Sequence, residues 1–272
     1  MATPDDANTR AATTYNAAAD CYDDPANSFW ERFGRATVDR LHLRPGSRVL
    51  DVCCGSGASS LPAAERVGPE GSVLGIDLAS RLLELARRKA AARGLRNVDF
   101  RVGDMLDLRL PESHFDAALC VFGIFFVPDM PAAVRALWRV VCPGGQLAIT
   151  TWGPRFFEPA TTAFWGSVRE VRPDLYKGFN PWDRISDAAS VRALLRAGGV
   201  QRAEVAAEPG THAIPSPEAW WSAVLGSGYR GTLEQMDPAA RERVHALNLS
   251  YIRTSGIRSV EANVVYAIAT KS

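Results

Sequence analysis

An apolar run that ends in a glycine turn is the feature that most constrains this chain. Residues 48–60 read Arg-Val-Leu-Asp-Val-Cys-Cys-Gly-Ser-Gly-Ala-Ser-Ser, and Asp77 closes the next apolar run. The two glycines allow the backbone to bend sharply and to approach a ligand closely, because no side chain occupies that space. A strand, a glycine turn and a helix, with an acidic residue about twenty positions further on, are typical of a nucleoside-binding βαβ unit.

The size and charge of the chain favour one enlarged α/β domain that binds a small molecule. Its 272 residues are 47% apolar, which is enough for one large core. Its 31 basic and 30 acidic side chains nearly cancel. A protein that binds nucleic acid non-specifically carries a basic excess, so we expect no nucleic-acid partner.

The lack of a recognisable targeting signal and the spacing of the cysteines argue against an exported protein, a membrane protein and a cysteine-bound metal site. The first residues lack a basic segment followed by an apolar one, and no later apolar run reaches the length of a membrane span. We therefore expect a cytoplasmic protein with no membrane partner. Its five cysteines are an odd number without a repeated metal-ligand spacing, which favours reduced thiols.

Nearly continuous apolar stretches of strand length alternate with segments of helical period. Such stretches are typical of parallel strands that are covered on both faces, and they lie at 49–53, 73–76, 117–121 and 147–151. Between the second and the third of these, Val98, Phe100 and Val102 alternate with polar residues. This alternation predicts a strand nearer the edge of the sheet.

Helices are predicted between these strands from apolar spacing and capping residues. One covers positions 82–90, with Ser80 placed to cap its start and Gly94 to end it. Another covers 134–141, where Asp129 can cap the first turn and a Pro-Gly-Gly segment stops the helix before the next strand.

Two insertions interrupt the alternation in the second half of the chain. The first, at 153–187, is rich in aromatic residues and punctuated by Pro and Gly, as expected of a segment that folds over the sheet. A helix at 188–197, a strand at 200–206 and a final strand at 262–269 follow. The second insertion, at 208–258, is predicted to be helical.

In this order, the motifs resemble the class I S-adenosylmethionine-dependent methyltransferases, of the small-molecule branch that includes the ubiquinone and menaquinone C-methyltransferases. The resemblance covers residues 10–152 and rests on the stretches at 49–57, 73–77, 102–105, 115–120 and 143–145. It implies an α/β fold: a Rossmann-like, doubly wound sheet of seven strands in the order 3-2-1-4-5-7-6, with the last strand antiparallel, plus helical insertions. It also divides the chain into an N-terminal helical lid (1–45), a cofactor-binding core (46–152) and the remainder of that core with its insertions (153–272).

The resemblance implies that S-adenosyl-L-methionine is the cofactor, and it carries roles to positions near the glycine turn. Asp51, at the end of the first strand, would face the ammonium group, directly or through water. Gly55 and Gly57 would admit the amino-acid end against the backbone. Asp77 would accept both ribose hydroxyls, and Leu78 would lie against the adenine face.

Further roles are implied beyond the turn. Asp104 would accept a hydrogen bond from the adenine amine, the Met105 amide would serve a ring nitrogen, and Cys120 would line the path of the methyl group. Tyr15 and Tyr22 are the candidates for lid residues that reach the methionine end of the cofactor. Anchoring of an N-terminal helix is the alternative role for these two tyrosines.

The acceptor pocket is predicted to be apolar, because aromatic residues fall on the insertions and on the loops that follow the strands. The candidates are Phe122, Phe126, Trp152, Phe157, Trp182 and Trp221. Packing of the insertions onto the sheet is the alternative for some of them. The resemblance also implies that no metal is bound, because the family's metal-dependent catechol branch needs acidic ligands near the ends of strands four and five, and 120–127 and 150–153 supply none. The candidates for a general base are His212 and His245, for which a surface or packing role is the alternative.

The function implied is in-line transfer of a methyl group to a small hydrophobic or aromatic metabolite, either a natural product, a quinone or a lipid-like acceptor. The protein would act as a monomer or a homodimer. Three alternatives stay open: an enzyme of the same fold that binds the cofactor but catalyses a cyclisation or elimination, a cofactor-binding regulatory module, and a nicotinamide-dependent dehydrogenase, which the spacing to Asp77 also suits.

Overall fold

A computed structural model describes residues 4–272, with side chains from residue 8 onward. The strands are β1 (Arg48–Val52), β2 (Ser72–Asp77), β3 (Val98–Val102), β4 (Phe115–Val121), β5 (Val141–Trp152), β6 (Glu204–Glu208), β7 (Thr211–Ala213), β8 (Ser259–Glu261) and β9 (Val264–Thr270). The α-helices are α1 (Pro4–Ala18), α2 (Phe29–Asp39), α3 (Ser60–Val67), α4 (Ser80–Ala92), α5 (Met130–Val140), α6 (Ala160–Val171), α7 (Ala188–Ala197), α8 (Pro217–Leu225), α9 (Arg230–Leu233) and α10 (Pro238–Thr254). Short 3-10 helices lie at Pro25–Asn27, Ile124–Phe126, Pro173–Leu175 and Pro181–Ile185.

Seven strands form one mixed sheet in the order β3-β2-β1-β4-β5-β9-β6. The first five strands of the chain pair in parallel, and β9 is antiparallel to both β5 and β6. The predicted order 3-2-1-4-5-7-6 with an antiparallel last strand is therefore confirmed. The last strand is the ninth in the chain because β7 and β8 form a small separate antiparallel sheet, which was not predicted.

The central strands are buried on both faces, as their continuous apolar sequences predict. Neighbouring residues of β1 point to opposite sides of the sheet: Val49 belongs to one hydrophobic cluster and Leu50 to another, and neither has measurable exposure. Strand β3 lies at the edge, as predicted, and of its five residues only Phe100 is buried.

The structure corrects three local predictions. The Pro-Gly-Gly segment at 143–145 does not stop the helix before the next strand, because α5 ends at Val140 and the segment lies within β5. Ser80 does not cap α4; the N-cap is Ala79, whose amide donates to Oδ1 of Asp77 at 2.8 Å. Strand β6 begins at Glu204 rather than at position 200, because the Val200 amide donates to the carbonyl of Leu195 and closes the end of α7.

Two other boundary predictions are confirmed, whereas the insertion at 208–258 is not wholly helical, because it contains β7. The Asp129 side chain caps α5 by accepting from the Ala132 amide at 2.8 Å. Gly94 follows α4 with a φ of +68°, which suits a glycine at a helix end. Among the helices described, none is both long and apolar enough to cross a membrane.

Candidate active site

A cavity lies at the carboxyl ends of β1, β2 and β4, with α1 packed across it. Its empty volume is about 720 Å³ including the open mouth. We call it the inner cavity. Its lining contains Asn8, Ala11, Ala12, Tyr15, Tyr22, Trp30, Val52, Cys53, Gly55, Asp77, Leu78, Ala79, Leu82, Gly103, Asp104, Met105, Val121, Phe122, Phe126 and Val127.

The two glycines of the turn serve different purposes. Gly55 has a φ of +53°, and a Cβ atom there would lie 3.0 Å from the hydroxyl oxygen of Tyr22. Gly57 has a φ of +86°, but its Cβ would meet the Leu61 side chain at 3.2 Å and it does not line the cavity. Gly55 therefore keeps cavity space open, whereas Gly57 allows the turn to pack against α3.

Asp77 lies at the centre of the cavity floor and is held by the backbone. Its Oδ2 accepts from the Gly55 amide and its Oδ1 from the Ala79 amide, both at 2.8 Å. Burial raises the pKa of Asp77, while these backbone hydrogen bonds oppose the shift. Each carboxylate oxygen has a second lone pair, so both can still accept from a ligand.

Asp51 lies behind the cavity lining rather than in it. Its Oδ2 accepts from the hydroxyls of Ser59 at 2.7 Å and Ser60 at 2.5 Å, whereas Oδ1 is buried without a hydrogen-bond partner among the described residues. Burial raises the pKa of Asp51 to about 6, against the lowering effect of the two serines. A buried carboxylate oxygen that lacks a donor is a position where a cationic group or a water molecule would be stabilised.

Another side of the cavity is formed by the loop after β3 together with α1. Oδ2 of Asp104 accepts from the Asn8 side-chain amide at 2.6 Å, and Oδ1 accepts from the Leu106 amide at 2.9 Å. Met105 is buried and lines the cavity together with Leu78. Sequence reasoning missed Asn8, although Asn8, Ala11, Ala12 and Tyr15 follow the i, i+3, i+4, i+7 spacing of one helix face.

A second, aromatic cavity adjoins the first and shares Tyr15, Trp30 and Phe122 with it. Its empty volume is about 300 Å³. The shared wall is rigid, because Trp30 stacks on Tyr22 with 5.1 Å between ring centroids and Phe122 stacks on Trp152 at 3.8 Å. The full lining is Tyr15, Trp30, Phe122, Phe125, Trp152, Phe156, Trp182, Ser227, Gly228 and Tyr229.

Tyr229 is one of the few polar groups in this aromatic cavity. The Thr161 hydroxyl donates to the carbonyl of Phe156 at 2.6 Å, so its proton is committed there. In the 2.6 Å contact between the Thr161 and Tyr229 hydroxyls, Tyr229 is therefore the donor, and its phenolic oxygen can still accept. Burial raises the pKa of Tyr229, which keeps the phenol protonated at neutral pH. Sequence reasoning missed the pairing, because 68 residues separate the two positions.

The structure brings most of the predicted cofactor and acceptor residues to these two cavities, but not all of them. Cys120 is buried behind Val121 and lines neither cavity. Phe157 is buried and packs on Phe29, with ring centroids 5.0 Å apart. Trp221 lies in the second insertion against His245, also away from both cavities.

Neither predicted histidine reaches the cavities. Nε2 of His212 is 2.7 Å from the Ala26 carbonyl, which can only accept, so this nitrogen carries a proton. Burial lowers the pKa of His212, so the ring is neutral at pH 7. His245 lies on α10 with Glu242 3.8 Å away. Within the described part of the chain, no three His, Cys, Asp or Glu side chains are arranged to bind a metal ion.

Comparison with known proteins identifies the family. Residues 49–145 match the model of the methyltransferase domain. Nocamycin O-methyltransferase of Saccharothrix syringae is 32% identical over 249 residues, which cover 85% of this chain and 87% of that protein. The chain belongs to the class I S-adenosylmethionine-dependent methyltransferases. This confirms the resemblance, the enzyme class and the cofactor inferred above.

Two further relatives of this methyltransferase match parts of it. Demethylmenaquinone methyltransferase of Listeria monocytogenes is 38% identical over 117 residues, covering 43% of this chain and about half, 49%, of that enzyme. The crystal structure of a SAM-dependent methyltransferase from Aquifex aeolicus also matches, with a TM-score of 0.54 and 23% sequence identity. The match covers 70% of this chain and 89% of the Aquifex chain. The latter supports the fold alone.

The residues of the inner cavity fit S-adenosylmethionine. Gly55 lines this cavity beside Tyr22 and has no side chain that would occupy it. The lining offers the Asp77 carboxylate to hydroxyl donors and apolar side chains to a planar ring, and the orphaned Oδ1 of Asp51 lies behind it. When bound, the cofactor supplies a methyl group activated by a sulfonium.

Proposed function

We propose that this methyltransferase methylates an oxygen atom of a small, hydrophobic, aromatic metabolite. The observation that carries the proposal is the aromatic cavity, which shares Tyr15, Trp30 and Phe122 with the inner cavity. An acceptor bound among these rings would lie next to the cofactor and away from water, and orientation of that kind supplies much of the rate of a displacement reaction.

We propose the cofactor roles residue by residue. Asp77 would accept the ribose hydroxyls, with Leu78 against the adenine and Met105 beside it; all three line the inner cavity. Asp104 would serve the adenine amine after giving up its bond to Asn8 or sharing it. The orphaned Oδ1 of Asp51 would interact with the ammonium group through a water molecule, because Asp51 is not in the lining itself.

Two observations support oxygen as the acceptor atom. The phenolic oxygen of Tyr229 is free to accept from a hydroxyl in the aromatic cavity, and such a bond would orient the attacking oxygen. The extensive similarity to nocamycin O-methyltransferase points to the same atom. Neither histidine lies in a cavity wall, so we propose no histidine base. An acidic phenol or an enol, which releases its proton to solvent readily, would be the preferred acceptor; once it is ionised, the Tyr229 hydroxyl would donate to its oxygen instead of to Thr161.

The direct test is incubation of the purified protein with methyl-labelled S-adenosylmethionine and a panel of phenolic, enolic and quinol acceptors. We expect the label to appear in the product together with an equal amount of S-adenosylhomocysteine. Conversion of an acceptor while the label stays on the cofactor would instead indicate a cyclase or eliminase. Cofactor binding without turnover of any acceptor would favour a regulatory module.

A further inference from the structure

A groove leads from the aromatic cavity to the protein surface, and among the side chains of residues 8–272 no acidic residue lines it. We call it the outer groove. It shares Tyr15, Trp182 and Tyr229 with the aromatic cavity and encloses about 1060 Å³, including its open mouth. Because the two spaces share a wall, a ligand larger than the aromatic cavity would extend into the outer groove.

Two cations lie in the wall of the outer groove, Arg10 on α1 and Lys177 in the first insertion. Among the side chains of residues 8–272, no carboxylate forms an ion pair with either cation. Most of the ion pairs in this part of the chain are made by other arginines, each close to an acid. Burial and the nearby charge of Arg10 both lower the pKa of Lys177. An anion between the two cations would relieve this repulsion.

Three residues of the groove wall also carry unpaired polar groups, which lie beneath the wall surface. Nε1 of Trp165, Nε1 of Trp182 and the hydroxyl of Thr232 are buried without a hydrogen-bond partner among the described residues, and all three residues line the groove. Their exposed fractions are only 8%, 9% and 1%. An indole N–H can only donate, so the groups that would satisfy these tryptophans are oxygen acceptors.

We propose that the outer groove binds an anionic, oxygen-bearing end of the methyl acceptor, with a carboxylate between Arg10 and Lys177. The inference rests on the proposed function, because it places the aromatic body of the same molecule in the aromatic cavity. The charged end would then fix which end of the acceptor reaches the cofactor. Both residues keep much of their surface in solvent, although the Lys177 ammonium group is partly buried, so the contribution of each is several-fold rather than a thousand-fold.

The test compares two probes that differ only in charge, anthraquinone-2-carboxylate and anthraquinone-2-carboxamide. Equilibrium dialysis against the full chain, saturated with S-adenosylhomocysteine, gives both dissociation constants. We expect the carboxylate to bind about five- to tenfold more tightly at low ionic strength, and this preference to shrink in 0.5 M NaCl. The double variant Arg10→Gln/Lys177→Gln should bind both probes about equally.

Arg253→Gln is the matched control, because it also removes one exposed positive charge but lies on α10 outside the groove, 3.8 Å from Glu218. It should keep the preference for the carboxylate. Equal binding of the two probes by the wild-type protein, or a preference that survives in the double variant, would overturn the anionic site and leave the proposed function standing. Failure of both probes to bind would instead count against an aromatic acceptor, and with it against both proposals.

Discussion

The backbone amide of Gly55 donates to the carboxylate of Asp77 at 2.8 Å, joining the glycine turn after β1 to the end of β2. The contact closes the floor of the inner cavity before any ligand arrives. It therefore couples two features that the sequence motif presents separately, the open space of the turn and the acidic residue about twenty positions further on. Substitutions at these two positions should affect cofactor binding in distinguishable ways.

Removal of the Asp77 carboxylate should weaken nucleoside binding. We expect Asp77→Ala to raise the dissociation constant of S-adenosylhomocysteine about 30-fold, or about 2 kcal/mol, through the loss of charge-assisted hydrogen bonds. Titration calorimetry measures this change. Asp107→Ala removes an exposed carboxylate that pairs with Arg109 outside the cavity, and it should leave the affinity unchanged. An unaltered affinity in Asp77→Ala would remove the proposed ribose role.

A side chain at Gly55 should block the cavity beyond its effect on the backbone. Gly55→Ala and Gly94→Ala both place alanine at a positive φ, +53° and +68°, which costs roughly 1–2 kcal/mol in unfolding free energy. A Cβ at Gly94 meets nothing within 4 Å, whereas one at Gly55 meets the Tyr22 hydroxyl at 3.0 Å. We expect both variants to lose similar amounts of stability in urea. Only Gly55→Ala should lose affinity for the cofactor. Equal affinities would show that Gly55 serves the turn only.

The parts of the site that are local in sequence could be predicted, and the long-range pairs could not. The strands, the glycine turn and Asp77 follow from strand-length apolar runs and from residues at their ends, so hydrophobic periodicity detects them, whereas the sheet order and the role of Asp104 were implied by the family resemblance. The contact of Asn8 with Asp104 joins positions 96 residues apart, and it depends on how α1 docks. The sequence pattern does not predict how α1 packs on the rest of the protein.

The insertions show the same limit. The aromatic residues there predicted an apolar pocket. The sequence does not distinguish an aromatic residue that lines the pocket, such as Trp182, from one that packs in the core, such as Phe157. The misplaced helix cap has a similar cause. Ser80 is a good capping residue, yet the Asp77 carboxylate, three residues earlier, already accepts from the Ala79 amide at the start of α4.

Burial of Asp51 should make the stability of the ligand-free protein depend on pH. Its pKa is raised from 3.8 to about 6, so the folded state binds this proton more tightly than the unfolded state. The stabilisation is fully present below about pH 4 and is lost as the pH rises through 6, by about 3 kcal/mol at most. Asp51→Asn should remove this decline, measured by urea unfolding between pH 4.5 and 7.5.

Asp107→Asn serves as the control for the pH experiment, because Asp107 is exposed and its pKa is lowered by Arg109 rather than raised. Its stability profile should keep the downward slope of the wild-type protein between pH 4.5 and 6.5. A carboxyl NMR titration of the wild-type protein reports the Asp51 pKa without any substitution. A value near 4 for Asp51, or parallel profiles for Asp51→Asn and the wild type, would contradict the prediction.

The histidines should not act as general bases. His245 lies on α10 beside Trp221, with ring centroids 4.5 Å apart, and lines neither cavity. We expect His245→Ala to keep kcat/KM within about twofold and to leave its pH profile unchanged. For His212, whose ring packs against Phe29, the variant His212→Gln should lower the melting temperature but not kcat. Loss of the acidic limb of the pH profile in either variant would restore a catalytic role.

Tyr229 should orient a hydroxyl acceptor without affecting cofactor binding. In Tyr229→Phe, Thr161 keeps its bond to the Phe156 carbonyl, so no buried donor is orphaned and the fold should tolerate the change. Because the lost hydrogen bond orients the attacking oxygen, kcat/KM for a phenolic acceptor should fall about tenfold, with the affinity for S-adenosylhomocysteine unchanged. Tyr251→Phe, which removes a hydroxyl from a 42% exposed tyrosine on α10, is the matched control. Equal kinetics for the two variants would mean that Tyr229 only fills space, and the preference for oxygen would then rest on similarity alone.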